Sequence, residues 1–210
     1  MPDYPQLDWE YLYQSGTTPW DNDSPWSPLA RLVQEVCPPG ASILEVGCGH
    51  GVDAIHLAAL GYRVKATDLS ATAIGRARAA VHRAGVAVDF QVEDFYTSRD
   101  ETEHDLLYEK GVMVNANNAE MWVEFSRLAA SRLTDGGCWV SVSGNSDNLN
   151  VGMTGPDKRG YPRLSVLELA SVVEPYFEIQ SITQEAFGST PANSFQSWVV
   201  ISRKRRGTTA

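Results

Sequence analysis

Cysteine and histidine are scarce in this sequence, and neither is spaced for chemistry. The three cysteines, Cys37, Cys48 and Cys138, are odd in number and far apart. That excludes a disulfide framework and points to free buried thiols in a reducing compartment. The four histidines form no cluster with them at metal-ligand spacing, so no metal site is expected. Positive charge is also short. Seventeen lysines and arginines face 26 aspartates and glutamates, a formal charge of −9, the wrong sign for tracking a phosphate backbone. The one basic run, Arg203-Lys204-Arg205-Arg206, reads as a solubilising terminus. No apolar stretch approaches the ~18 residues of a membrane helix. The opening MPDYPQLDWE lacks the basic start and apolar run of a secretory signal. These absences lead to the expectation of a cytoplasmic protein with no nucleic-acid and no membrane partner.

What remains is a globular chain of 210 residues, enough for one core and too few for two substantial ones. It is organised around ASILEVGCGHGVDAIHLAALG, Ala41 to Gly61. Ile43-Leu44-Glu45-Val46 reads as a buried parallel strand. Gly47, Gly49 and Gly51 follow at alternate positions, and a helical period resumes through Ile55, Leu57, Ala58 and Ala59. A strand that breaks into glycines and re-emerges as a helix builds a ligand site at the carboxyl edge of a sheet. Residues without side chains let a ligand lie against backbone N–H groups at the helix start. A dinucleotide fingerprint would need glycine where Val52 stands. The pattern is instead acid-x-Gly-x-Gly-x-Gly, from Glu45 through Gly47, Gly49 and Gly51, which resembles motif I of the class I S-adenosylmethionine-dependent methyltransferases. That resemblance implies glycines that admit the amino-acid end of the cofactor, and an acid that helps hold the loop and the cofactor's ammonium.

The rest of the chain alternates strand and helix. Residues 1–28 carry Trp9, Tyr11, Tyr13, Trp20 and Trp26 without strong periodicity, an aromatic arm that either pins itself to the body or covers a ligand. Leu29 to Val36 is an amphipathic helix stopped by Pro38-Pro39-Gly40. Tyr62 to Thr67 is a strand ending in Asp68, about twenty residues past the glycine turn, where such folds place a carboxylate on ribose hydroxyls. Its competing role, capping the next helix, can be met by Ser70. Ala71 to Ala84 is a helix closed by Gly85. Val86 to Val92 is a strand running into Glu93-Asp94-Phe95, where a carboxylate can accept from an exocyclic amine and the ring can edge a purine. The polar stretch that follows contains His104, read as a solvated loop histidine. Asp105 to Tyr108 is a fourth strand expected beside the first, and its exit is Glu109-Lys110-Gly111-Val112-Met113-Val114-Asn115. Asn118 to Leu133 is a helix, Asp135-Gly136-Gly137 a turn, and Cys138 to Val142 a strand. Ser143 to Pro162 is a long loop. Ser165 and Glu168 form a capping box, and Phe177 to Thr183 with Ser194 to Ser202 form an antiparallel hairpin.

With these residues placed, the chain resembles the thiopurine and thiol S-methyltransferase branch of the superfamily. The arm is similar to the branch's spacing through Trp9, Tyr13, Gly16, Thr18 and Trp20. Glu109-Lys110-Gly111 resembles its Asp-Arg-Gly, and Gly160 to Ser165 its Gly-Pro-Pro stretch. The resemblance implies an α/β fold, the three-layer Rossmann-like class I methyltransferase sheet, mostly parallel with an antiparallel last strand. It implies one domain over 1–210, with arm 1–28, core 29–206 and a flexible tail 207–210. The cofactor would be S-adenosylmethionine, released as S-adenosylhomocysteine and held by Trp9, Trp20, Glu45, Gly47, Gly49, Asp68, Leu69, Glu93, Asp94, Phe95 and Glu109. Lys110 is the candidate catalytic residue. It keeps the family arginine's charge and loses its planar fork. Val114-Asn115 stands where a related branch carries two histidines, so no histidine base is available there.

The expected reaction is in-line transfer of the sulfonium methyl to a small-molecule nucleophile, a thiol or related sulfur acceptor, by a monomer or weak dimer. Alignment can supply ~7–11 kcal/mol, and a thiol with a pKa near ~8.5 ionises without a strong base. Lys110 would hold an anionic acceptor or, equally, pair with Glu109 or an N-terminal aspartate. Met113, Asn115, Trp26 and Tyr161 are candidate pocket walls, each more readily read as packing. An O- or N-methyltransferase of a small natural product would share every cofactor residue. A non-catalytic S-adenosylmethionine-binding protein would bind and turn nothing over.

Overall fold

The structure is a computed structural model and describes residues 7–18, 20–21, 23–116, 118–144, 164–187 and 195–207. Seven strands are hydrogen-bonded in the order β3-β2-β1-β4-β5-β7-β6. They are β1 (Ser42–Val46), β2 (Arg63–Asp68), β3 (Val88–Val92), β4 (His104–Lys110), β5 (Leu133–Gly144), β6 (Phe177–Phe187) and β7 (Phe195–Lys204). The expected place of the fourth strand beside the first is therefore observed. The chain divides into two compact units, one spanning Leu7–Tyr108 and the other beginning at Glu109.

The first unit contains the arm and the glycine turn. Helix α1 (Trp9–Ser15) starts on Asp8, whose side chain accepts from Tyr11 N, and stops at Gly16 with φ 70°. Helix α2 (Leu29–Val36) buries Leu29, Leu32 and Val33, the apolar stripe seen in the sequence. All but the first residue of β1 are buried, as a strand flanked on both sides requires. Helix α3 (Val52–Ala59) follows the glycines directly, and α4 (Ala71–Ala84) is capped by Ser70 and closed by Gly85 at φ 69°. β1 pairs with β2 and β2 with β3, both parallel, with Val46 opposite Thr67 and Asp68 opposite Val92. Parallel pairing brings the carboxyl ends of all three strands to one edge. His104 corrects the sequence reading: it opens β4 and is buried.

The second unit holds α5 (Ala119–Ser131), capped by Asn118, and α6 (Val166–Val173), whose capping box of Ser165 and Glu168 is present as expected. β7 runs antiparallel to both β5 and β6, so the closing strands form the expected hairpin. Two expectations fail here. β5 begins at Leu133, so Asp135-Gly136-Gly137 lies inside the strand; Gly136 takes φ 77°, a conformation glycine adopts without strain. The basic run is not a free tail. Lys204 is buried and donates from Nζ to the Leu133 carbonyl at 2.6 Å. Arg203 donates to Gly136 O and Arg205 to Glu174 O, at 3.1 and 3.3 Å. These cations satisfy carbonyls that the strand and helix ends leave open. The long loop and the Gly-Pro-Pro-like stretch, with Tyr161, fall outside the described residues apart from Ser143, Gly144, Leu164 and Ser165. Among the described residues no helix is long and apolar enough to cross a membrane, and no group of histidine, cysteine and carboxylate side chains could hold a metal. None of the three cysteines forms a disulfide, and all are buried.

Candidate active site

The glycine turn is built on positive φ angles: 70° at Gly47, 54° at Gly49 and 75° at Gly51. The three glycines serve different neighbours. A Cβ on Gly51 would sit 2.5 Å from Phe90 Cζ and 2.9 Å from Ala77 Cβ, so this glycine allows helix α3 to start against β3 and α4. A Cβ on Gly49 would sit 2.8 Å from the Tyr13 hydroxyl. The close approach expected there of a ligand is made by the arm. Gly47 is exposed at the end of β1, and its backbone is the part of the turn a ligand can reach. Glu45 is buried within β1.

Asp68 stands at the carboxyl end of β2, and its carboxylate is braced from two sides. Oδ2 accepts from Gly49 N at 2.8 Å, and Oδ1 from Ser70 N at 2.9 Å. Burial, more than these donors offset, pushes its carboxyl above the usual aspartate value. Each oxygen keeps a second lone pair. Helix capping falls to Ser70, whose hydroxyl accepts from Ala73 N. Leu69, next in sequence, is 52% exposed at the same edge, an uncovered apolar surface beside a carboxylate. Glu93 donates its backbone N–H to the Asp68 carbonyl, while its side chain pairs with Lys65 at 3.1 Å. Asp94 accepts from Tyr96 N and Thr97 Oγ1 and shapes the turn, and Phe95 is buried edge-on to Tyr96. Of this trio, expected to contact a purine, each side chain has a partner within the protein. Cys48 is buried, and its burial with Glu45 and Asp68 nearby raises the thiol well above its usual value, so it is no nucleophile.

The arm folds over the turn. Trp9 and Trp20 meet edge to face with centroids 5.5 Å apart, and Trp20 Nε1 donates to the Tyr13 hydroxyl at 3.2 Å. The Tyr13 ring packs 5.2 Å from that of His50. Trp26, a candidate pocket wall, is buried and ties its backbone N–H to Asp53 at 2.8 Å; Asp53 also accepts from Tyr108 Oη at 3.0 Å. Sequence reasoning missed Glu10, Asp21, His50 and Arg76, which hold the arm. No local signal marks them, because the partners that tie the arm to the body lie 26 to 63 residues away.

In the second unit, Glu109 is fully buried and has a structural occupation. It accepts from Ser141 Oγ, from Val112 N at 2.8 Å and from Met113 N at 3.3 Å. Burial outweighs these donors and pushes the carboxyl up to about 7. Gly111 N bonds the Val142 carbonyl at 2.8 Å, and Asn115 Nδ2 donates to Gly111 O, closing the turn after β4. Lys110, the last residue of that strand, is partly exposed. Met113 is fully buried, a packing residue.

A family model described as thiopurine S-methyltransferase (TPMT) matches residues 5–202. The chain belongs to the thiopurine S-methyltransferase family. It is 32% identical over 103 residues to "Probable thiol methyltransferase 2" of Arabidopsis thaliana, covering 48% of this chain and 46% of the relative. Over 82 residues it is 37% identical to "Ubiquinone biosynthesis O-methyltransferase" of Xanthomonas campestris pv. campestris (strain B100), covering 35% and 34%. The matches thus span less than half the length of these curated relatives. A solved structure described as "Conversion of a Disulfide Bond into a Thioacetal Group during Echinomycin Biosynthesis" superposes with a TM-score of 0.80 at 23% identity, over 95% of this chain and 92% of that one. That likeness establishes the Rossmann-like fold. S-adenosylmethionine is the family's cofactor, and the first unit fits it: an exposed glycine backbone, a braced carboxylate with free lone pairs and an exposed leucine share one sheet edge.

Proposed function

We propose that this thiopurine S-methyltransferase family member transfers a methyl group from S-adenosylmethionine to a small-molecule nucleophile, a thiol or related sulfur acceptor. The observation that carries the reading is Asp68, held by Gly49 N and Ser70 N at the edge where β1, β2 and β3 end. Its remaining lone pairs suit two adjacent hydroxyls of a ribose, Gly47 offers backbone to the amino-acid end, and Leu69 offers apolar surface to a base. Trp9 and Trp20 close over the cofactor. When bound, S-adenosylmethionine supplies an electrophilic methyl on a sulfonium.

The chain's own part is alignment and electrostatics. Lys110 attracts an anionic acceptor, and Val114-Asn115 provides no imidazole base. An acceptor that is already ionised suits such a site, and a thiol with a pKa near ~8.5 meets that need better than an alcohol. The likeness to a thiol methyltransferase supports sulfur. The likeness to an O-methyltransferase supports the second reading, transfer to oxygen, which uses the same cofactor residues.

Calorimetric titration with S-adenosylhomocysteine, beside NAD, tests the cofactor assignment. Micromolar binding of the former alone is expected, weakened about tenfold or more by Asp68→Ala, the loss expected when hydrogen bonds to a charged group go. No binding by folded protein refutes the reading, and unchanged affinity in the variant removes Asp68 from the site. A panel of thiols, phenols and amines then separates sulfur from oxygen and nitrogen.

A further inference from the structure

Glu10 belongs to none of the patterns that mark the cofactor site, yet its carboxylate is one of the most heavily bonded in the first unit. Oε2 accepts from Ser70 Oγ at 2.6 Å and from Thr72 N at 3.2 Å; Oε1 accepts from Thr72 Oγ1 at 2.6 Å and from Gln14 Nε2 at 2.9 Å. It therefore occupies the N-terminus of the fourteen-residue helix α4, where open N–H groups and the helix dipole favour an anion. These bonds hold the carboxyl down at about 2, so Glu10 is ionised at neutral pH. A second tie lies one helical turn on. Arg76 Nη2 donates at 2.9 Å to the carbonyl of Tyr13, the third-last residue of α1, and Nη1 lies 3.0 Å from His50 Nε2. Arginine only donates, so His50 Nε2 is the acceptor of this contact, and the other ring nitrogen, Nδ1, lies 3.2 Å from Asp21 Oδ2.

The two ties span the arm. Glu10 follows Trp9 directly; Tyr13, held by Arg76, carries the hydroxyl that receives Trp20 Nε1 and abuts Gly49. Ser70, gripped by Glu10 through its hydroxyl, is also gripped by Asp68 through its N–H. One serine thus joins the arm to the carboxylate assigned to the ribose.

We propose that Glu10 is a positioning residue for the cofactor: its clamp on Ser70 and Thr72, with Arg76 as the second tie, fixes the arm in place and sets how long the cofactor stays bound. The proposal rests on the reading that Trp9 and Trp20 close over the cofactor.

The test uses the full chain as Glu10→Ala, Glu10→Gln and Trp20→Ala variants. Hydrogen exchange of residues 9–18 without ligand reports the clamp alone, and the dissociation rate of S-adenosylhomocysteine reports its consequence. Glu10→Ala should speed both by about fivefold or more, a modest factor because the carboxylate is partly in solvent. Glu10→Gln, which keeps one acceptor oxygen, should fall between, and melting of the core should be unchanged. Unaltered arm exchange in Glu10→Ala overturns the clamp. Faster arm exchange with unaltered dissociation overturns the positioning role. If Trp20→Ala also leaves dissociation unaltered, it is the covering role of the arm that has failed.

Discussion

Glu109 makes stability depend on pH in a direction opposite to most carboxylates. It is fully buried, and its carboxyl is pushed from the ordinary 4.5 up to about 7. Folding therefore favours the neutral form. That contribution is complete below pH 4.5 and is lost as pH rises through about 7. At ~1.4 kcal/mol per pH unit, the window is worth about 3 kcal/mol. Glu109→Gln imitates the neutral carboxyl. Its amide oxygen can accept from Val112 N and Met113 N, and its NH2 can donate to Ser141 Oγ, whose own hydrogen can turn to Ser143 Oγ 3.2 Å away; the second amide N–H costs the same at every pH and leaves the pH difference intact. Urea unfolding of wild type and variant between pH 4.5 and 8.5 is the assay. The variant should gain on wild type by about 3 kcal/mol across that range, most of it before pH 8. Other titrating groups act on both proteins and leave the difference. Parallel curves would refute the argument, and so would a variant that loses ground as pH rises, since that would mean folding favours the carboxylate.

Three further outcomes are expected, two from the glycine geometry and one from the proposed role of Lys110. Gly51→Ala places a methyl within 3 Å of Phe90 and Ala77 at φ 75°, and should cost about 2–4 kcal/mol in denaturant unfolding. Gly85→Ala, with the same backbone sign and open space around it, should cost about 1 kcal/mol; equal costs would show that strain and not packing holds the turn. Lys110→Met should lower kcat/KM for an anionic thiol about tenfold or more while leaving S-adenosylhomocysteine affinity alone, and Lys110→Arg should restore it. Unchanged turnover in Lys110→Met would assign the lysine to structure.

Elements whose cause is local were legible in the chain. Asn118, Ser70 and Ser165 announce helix starts, Gly85 a helix end, and the apolar run into Gly47 a strand and its turn. The order of strand and helix, with an acid at the end of the second strand, was enough to expect the Rossmann-like sheet, and the resemblance of the arm and of Glu109-Lys110-Gly111 pointed to the family. The causes of the rest lie far along the chain. His104 and the Asp135-Gly136-Gly137 triplet look like loop because nothing near them shows the strands they join, and Arg203 to Arg205 look like tail because the carbonyls they satisfy come from Leu133, Gly136 and Glu174. Gly49 and Gly51 carry identical sequence signals and answer to different neighbours, Tyr13 and Phe90. The sequence by itself determined the turn and the sheet type, since periodicity, caps and glycine spacing act within a few residues, and the cofactor class followed from its resemblance to a methyltransferase motif. Only the tertiary structure decided that Glu109 is buried in its own turn and that Glu10 clamps Ser70, because burial and hydrogen-bond partners depend on residues that sequence distance hides.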